Sequence, residues 1–263
     1  MIKVISSVQN PFIKEIISLM KSGERRKKGR FLIEGFREVE KAIQSGYQIN
    51  ELIYQENEVA KERVIQLAPD NCNLIEVSKA VFSKLTYREG VNNILAIATA
   101  RQHILEDIHL PENPLILVLE SVEKPGNLGA ILRTCDAAAI DLLLVCDPQT
   151  DIYNPNVVRS SLGCVFTVQI AVCNSQEALI FLKSANVNAF VSSLDAAENY
   201  HDMDYTASTA IVMGSEAFGV SENWLDAAKA RIKIPMRGLA DSMNVSNAAA
   251  ILIYEAKRQR GFV

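Results

Sequence analysis

The sequence predicts an α/β protein whose larger part is built on a mainly parallel sheet. Short, continuous apolar runs recur after residue 114, at Leu115–Leu119, Leu142–Cys146, Ala189–Leu194, Thr209–Gly214 and Arg231–Pro235. Strands that read as unbroken apolar runs, rather than as alternating ones, belong to parallel sheets covered on both faces. Helical stretches lie between them, around 129–139, 176–186 and 221–229, and a last one at 245–260 closes the chain. Strand and helix in alternation is the pattern of a doubly wound domain.

The first hundred residues read as a separate, smaller α/β unit. Asn10-Pro11 is a helix start, with Asn as cap and Pro in the first turn. Phe12, Ile13, Ile16, Ile17 and Met20 follow at helical spacing and form one apolar stripe. A second helix spans Gly35 to Ser45, buries Val39, Ala42 and Ile43, and stops at Gly46. Glu51–Tyr54 and Ile94–Ile97 read as short buried strands. The pattern then fades and Pro111 and Pro114 appear, so the expected organisation is a first domain at 1–98, a linker at 99–113 and a second domain at 114–263.

Composition limits the function classes. A chain of 263 residues with 49% hydrophobic and 22% charged content is that of a soluble globular protein, not a disordered one. The start, MIKVISSVQN, lacks the apolar core of a signal peptide. No apolar run reaches the ~20 residues of a membrane helix; the densest, Ala137 to Cys146, is broken by Asp141. Five cysteines without a Cys-x-x-Cys pair favour reduced thiols over a disulfide framework or a zinc site. None of His103, His109 and His201 has a ligand spacing, so no metal is expected, and the expected location is the cytoplasm.

The net charge of −4 hides an asymmetry. Lys21, Arg25, Arg26, Lys27, Lys28 and Arg30 stand against Glu24 alone. Such a cluster can neutralise several phosphates at once, the footprint of a nucleic-acid binder, although a solvated basic loop has the same composition.

Three glycine-bearing segments follow strands of the second part, where open α/β sheets place their ligands. In Glu123-Lys-Pro-Gly-Asn-Leu-Gly-Ala-Ile-Leu-Arg-Thr134, Gly126 and Gly129 allow a tight turn into a helix that carries Arg133. The planar donor fork of an arginine there can grip a phosphate. The spacing is not the Gly-x-Gly-x-x-Gly of a dinucleotide site, and the segment lacks the Gly-Lys-Ser/Thr of a P-loop. Ile211 to Ser221 runs from a buried strand into Gly-x-Glu-x-x-Gly, which holds Glu216 between two flexible turns. Ile232 to Ala250 carries Ser242, Asn244 and Ser246, more polar side chains than one helix cap requires. The small-residue run Ala248–Ala250 suits close approach of another backbone.

Taken together, these segments resemble the SpoU-type (TrmH-like) family of SPOUT methyltransferases. Tyr153-Asn-Pro-Asn-Val-Val-Arg-Ser-Ser-Leu-Gly163 looks like the family's Arg-Ala-Ser-x-Gly stretch. Ser7-x-x-Asn-Pro-x-Ile-Lys14, Arg26-Lys27 and Phe31-Leu-Ile-Glu-Gly-Phe-Arg37 are similar to the substrate-binding domain that precedes many such catalytic domains. The resemblance implies a deep trefoil knot in the second domain, S-adenosylmethionine as cofactor, and transfer of its methyl group to an RNA ribose 2′-hydroxyl. It implies a homodimer, and ribosomal RNA is favoured over transfer RNA because a separate front domain suits a structured target.

By the same resemblance the cofactor positions fall on Gly214, Ile234 and Met243, with Leu194 and Gly219. Arg133 takes the central catalytic role, with Asn127, Glu216, Ser242 and Asn244 orienting it and the sugar. Arg25, Arg26, Lys27, Lys28, Arg30, Arg37 and Arg159 form the expected RNA-binding set. Lys124 stands where relatives often have Asp, and Met243 replaces Leu, a nearly volume-conserving change. A non-catalytic RNA-binding protein of the same fold and a nucleotide-dependent oxidoreductase are the competing readings. The intact polar residues disfavour the first, and the missing glycine fingerprint disfavours the second.

Overall fold

The computed structural model describes residues 2–86, 93–196 and 198–262. The chain divides into two compact units, one holding residues up to Gln102 together with Asp151–Thr167, the other holding His103–Thr150 and the residues from Val168 onward.

The first unit contains β1 (Ile2–Ile5), α1 (Pro11–Ser18), α2 (Ser22–Lys28), β2 (Arg30–Glu34) and α3 (Phe36–Gln44). It continues with β3 (Ile49–Gln55), α4 (Lys61–Leu67), β4 (Asn73–Val77), α5 (Lys79–Leu85) and β5 (Ile94–Thr99). Its sheet has the order β1-β4-β3-β5-β2, with β5 antiparallel to both neighbours and the remaining pairs parallel. Asn10 caps α1 as its sequence predicts, accepting from the Phe12 N–H at 2.9 Å. Strands β1, β2 and β4 escape the sequence reading: β1 lies at the sheet edge with Lys3 and Val4 exposed, and β4 is only partly buried, so neither shows a buried apolar run.

The basic run is a helix, not a loop. Arg25 on α2 is only 4% exposed. Its guanidinium donates to the Leu19 and Met20 carbonyls at 2.7 and 2.8 Å and forms an ion pair with Asp151. A buried, fully engaged arginine cannot meet a phosphate, so Arg25 leaves the expected RNA-binding set.

The second unit begins with β6 (Leu115–Glu120), α6 (Pro125–Ala137) and β7 (Leu142–Cys146). The chain then returns to the first unit as α7 (Pro155–Ser160). It resumes with β8 (Ile170–Cys173), α8 (Ser175–Ser184), β9 (Asn188–Ser192), β10 (Glu198–Asn199), β11 (Thr209–Met213), α9 (Glu222–Ala227), β12 (Ala230–Lys233) and α10 (Val245–Gln259). The sheet order is β10-β12-β9-β11-β6-β7-β8, and each pairing is parallel. Late strand β11 lies between β9 and early β6, an order consistent with the knotted threading that the resemblance implies. Among the described residues no helix is long and apolar enough to cross a membrane.

The segment 151–167, which the sequence reading placed within the second domain, packs with the first unit. Its side chains explain why. Tyr153 stacks on Phe31 with ring centroids 4.0 Å apart, and its hydroxyl lies 3.2 Å from that of Tyr47. Gly163 adopts φ +77°, and a Cβ there would lie 3.2 Å from the Glu38 Cα. The Arg25–Asp151 pair completes the attachment.

No disulfide joins the five cysteines. Cys146 and Cys173 are register partners at the ends of β7 and β8, with sulfurs 3.9 Å apart. Their hydrogen bond holds the Cys173 thiol below the ordinary thiol range and, with burial, pushes Cys146 up.

Two outcomes follow from this packing. Replacing Asp151 by Ala leaves the buried Arg25 charge uncompensated and should lower the unfolding free energy by about 3 kcal/mol in chemical denaturation; a loss below about 1 kcal/mol would mean that water replaces the carboxylate. Iodoacetamide at neutral pH should alkylate Cys173 well before Cys146 by peptide mapping, because the thiolate is the reacting form; equal rates would refute the asymmetry.

Candidate active site

Parallel strands deliver their following loops to one edge of the sheet, where doubly wound folds place ligands. In the second unit the segments after β9, β11 and β12 converge there on a cleft of about 510 Å³. Its walls are residues of 192–195, 213–220, 233–236 and 241–243. That volume lies in the range of small-molecule sites, ~300–1,000 Å³.

The wall after β11 is made largely of backbone. Ser215 and Gly219 exchange two N–H to carbonyl hydrogen bonds, both 3.0 Å, and Gly219 adopts φ +68°. The Ser215 hydroxyl accepts from the Phe218 N–H at 3.1 Å. Gly214 lies so close to this turn that a Cβ on it would be 1.9 Å from the Gly219 carbonyl oxygen. Glycine is therefore required at 214 by close approach, not by dihedral angle.

Beside this wall, three of the predicted residues form a chain of amides ending on a carboxylate. Asn244 is the N-cap of α10, and its Oδ1 accepts from the Ser246 N–H at 2.9 Å and the Ser246 hydroxyl at 2.6 Å. A backbone N–H can only donate, so this oxygen assignment is fixed and the Asn244 Nδ2 faces away. That Nδ2 donates to the Asn127 Oδ1 at 3.1 Å. Asn127, so oriented, donates through its own Nδ2 to Glu216 Oε1. The polarity of the chain is thus set by one main-chain group and aims donors at the Glu216 carboxylate.

The other predicted residues are placed differently. Helix α6 begins at Pro125, so Arg133 stands about two turns inside it. Arg133 is exposed and is not joined to the Asn244–Asn127–Glu216 chain. The Ser242 hydroxyl donates to the neighbouring Asp241 at 3.2 Å. Gly214, Gly219, Leu194, Ile234 and Met243 all line the cleft. In the first unit Arg26, Lys27 and Arg37 are exposed. Lys28 is engaged by Ser18 and Glu24, Arg30 by Glu51 and Glu15, and Arg159 by Asn156. Among the described residues no group of three or more His, Cys, Asp or Glu could hold a metal ion.

Sequence reasoning missed Glu120 and Ser221. Glu120 ends β6 and is 6% exposed. It accepts from the Ser221 N–H at 2.6 Å, the Ser221 hydroxyl at 2.7 Å and the Ser175 hydroxyl at 2.9 Å. The available signal was a lone carboxylate closing the apolar run Leu-Ile-Leu-Val-Leu, since a buried charge must find partners.

Residues 114–254 match the SpoU rRNA Methylase family, and residues 10–96 match the MRM3-like substrate binding domain. The chain is 29% identical to the 23S rRNA (guanosine(2553)-2′-O)-methyltransferase RlmP of Bacillus subtilis, over 97% of this chain and 99% of that protein. It is 39% identical to the tRNA (guanosine(18)-2′-O)-methyltransferase of Thermus thermophilus, over 61% of this chain and 84% of that protein. The AdoMet-bound rRNA methyltransferase of Sinorhizobium meliloti superposes with a TM-score of 0.91 at 30% identity, covering 98% of each chain. Because that family match covers more than half of its residues, the chain belongs to the SpoU rRNA methylase family.

Proposed function

We propose that this protein transfers the methyl group of S-adenosylmethionine to a ribose 2′-hydroxyl of RNA, with ribosomal RNA as substrate. The observation that carries the reading is the Asn244–Asn127–Glu216 chain standing beside a backbone-walled cleft.

The cleft fits the cofactor in size and in chemistry. Gly214, Gly219, Ile234 and Met243 line it together with the exposed Leu194, a small and apolar set that leaves room for a polar nucleoside beside the backbone. When bound, S-adenosylmethionine supplies an electrophilic methyl group on a sulfonium. The chain's own residues must then align a ribose hydroxyl with that carbon, and positioning alone contributes up to ~7–11 kcal/mol in well-oriented reactions. Arg133 binds the phosphate of the target nucleotide with its planar donor fork. Arginine stays protonated, so Arg133 works by electrostatic positioning rather than as a base, and the hydroxyl proton passes to the phosphate it holds as the methyl group leaves the sulfonium. Glu216, held by Asn127, orients the sugar together with Ser242 and Asn244. Because Arg133 is exposed and separate from the amide chain, the working unit is a homodimer in which α10 contributes to the interface.

The front unit favours ribosomal RNA. The matched rRNA enzymes span the whole chain, whereas the tRNA enzyme matches 61% of it. Transfer RNA is the second reading, supported by that relative's higher identity in the shared part. The exposed Arg26, Lys27 and Arg37 are the RNA-facing residues of the front unit.

Methyl-labelled S-adenosylmethionine incubated with the protein and with unmodified ribosomal or transfer RNA tests the reaction directly. Digestion of the ribosomal RNA should yield a labelled 2′-O-methyl nucleoside; label on a base, or in neither RNA, would overturn the proposal. Arg133→Ala should lower transfer by about 100-fold or more while cofactor binding persists, the scale of losing one charge-stabilising group. Gly214→Ala should abolish cofactor binding in equilibrium dialysis, since the added Cβ displaces the 215–219 turn. Reversing Arg26 and Lys27 to Glu should weaken RNA affinity and flatten its slope against salt, by about one unit for each phosphate no longer engaged. An unchanged slope would make the α2 surface a bystander.

A further inference from the structure

Glu120 closes a strand whose other five residues are buried and apolar. A carboxylate there is unfavourable unless its oxygens are filled, and they are filled selectively. Ser221 gives Glu120 both of its donors, the N–H to Oε2 at 2.6 Å and the hydroxyl to Oε1 at 2.7 Å. Ser221 occupies the N-cap position of α9, yet its hydroxyl makes no cap hydrogen bond to that helix. The hydroxyl is turned to the strand instead.

Ser221 directly follows the wall, which runs from Met213 to Val220. At the near end, Met213 pairs in register with Leu119, the residue before Glu120. Both ends of the wall are therefore held by consecutive residues of β6, one through the sheet ladder and one through a side chain. Directly after Glu120 the chain turns at Ser121, which adopts φ +55°, and runs on to Asn127. One carboxylate thus ties the segment bearing Glu216 to the segment bearing Asn127.

We propose that Glu120 is a positioning residue for the cofactor: its carboxylate, through Ser221, sets the span of the 213–220 wall and so holds the cleft in the shape that receives S-adenosylmethionine. The proposal rests on the function proposed above. No bond is made or broken at Glu120, which acts through Ser221. Ser175 provides an internal control, because its hydroxyl, at the start of α8, lies 2.9 Å from the same Glu120 oxygen and 2.7 Å from Asp147, and its single proton is shared between the two carboxylates. Removing the Ser175 hydroxyl loosens the buried cluster without releasing the wall.

The test compares the full-length protein with its Ser221→Ala, Glu120→Gln and Ser175→Ala variants by three measurements. These are the dissociation constant for S-adenosylmethionine, the hydrogen exchange of the Ser215 and Gly219 amides in the cofactor-free protein, and the melting temperature. Ser221→Ala and Glu120→Gln should raise the dissociation constant by about tenfold, the scale of one hydrogen bond to a charged group, and speed exchange at both amides. Ser175→Ala should lower the melting temperature yet leave affinity and exchange unchanged. If Ser221→Ala changes only the melting temperature, or Ser175→Ala weakens affinity as much as Ser221→Ala, the role is structural and the proposal fails. If the wild-type protein binds no S-adenosylmethionine, the proposed function falls. Exchange then decides the positioning on its own: faster in Ser221→Ala than in Ser175→Ala supports it, and equal rates overturn it.

Discussion

Parallel pairing throughout the second sheet is the constraint from which the site follows. It sends the segments after β6, β9, β11 and β12 to one edge, so residues as distant as 120, 194, 216 and 244 emerge near one another. Buried on both faces, such a sheet leaves its carboxyl edge as the place where polar groups can gather. The cleft, the amide chain and the Glu120 cluster all lie at that edge.

Within it, orientation spreads from main chain to side chain. The Ser246 N–H at the start of α10 needs an acceptor because a helix has no internal partner for its first donors. Asn244 supplies one, and its amide can then point only its nitrogen at Asn127, which in turn points its nitrogen at Glu216. A capping requirement thereby becomes a directional array of donors. Gly214 contributes by contrast through absence: only a residue without Cβ allows the strand end to touch the turn at Gly219.

The first unit organises charge differently. Of the clustered basic residues, Arg25 is used inside to hold Asp151, Lys28 and Arg30 are partly neutralised by acids, and Arg26 and Lys27 remain outward. A basic run that looks uniform is thus divided by helical periodicity into a structural residue and a surface. The same division explains how the 151–167 segment, which lies between strands of the second unit in sequence, is held by Phe31, Tyr47 and Arg25 of the first.

The central strands, the helix capped by Asn10, the closing helix and the glycine segments were legible because each depends on local pattern: apolar runs, caps and spacing. So were the identities of the residues lining the cleft, since their order along the chain carries the family resemblance. Edge strand β1 was not, because exposure of its middle residues Lys3 and Val4 leaves no apolar run. The strand order, which sets β11 against β6 across about 90 intervening residues, was not legible either. Nor was the burial of Arg25, whose partner lies 126 positions away. The partnership of Glu120 with Ser221, 101 positions apart, was equally hidden. Sequence by itself determined which residues are apolar, polar or small at each step. Only the tertiary structure decided which of them meet, because pairing between distant strands is set by the packing of the whole sheet and leaves no period in the chain.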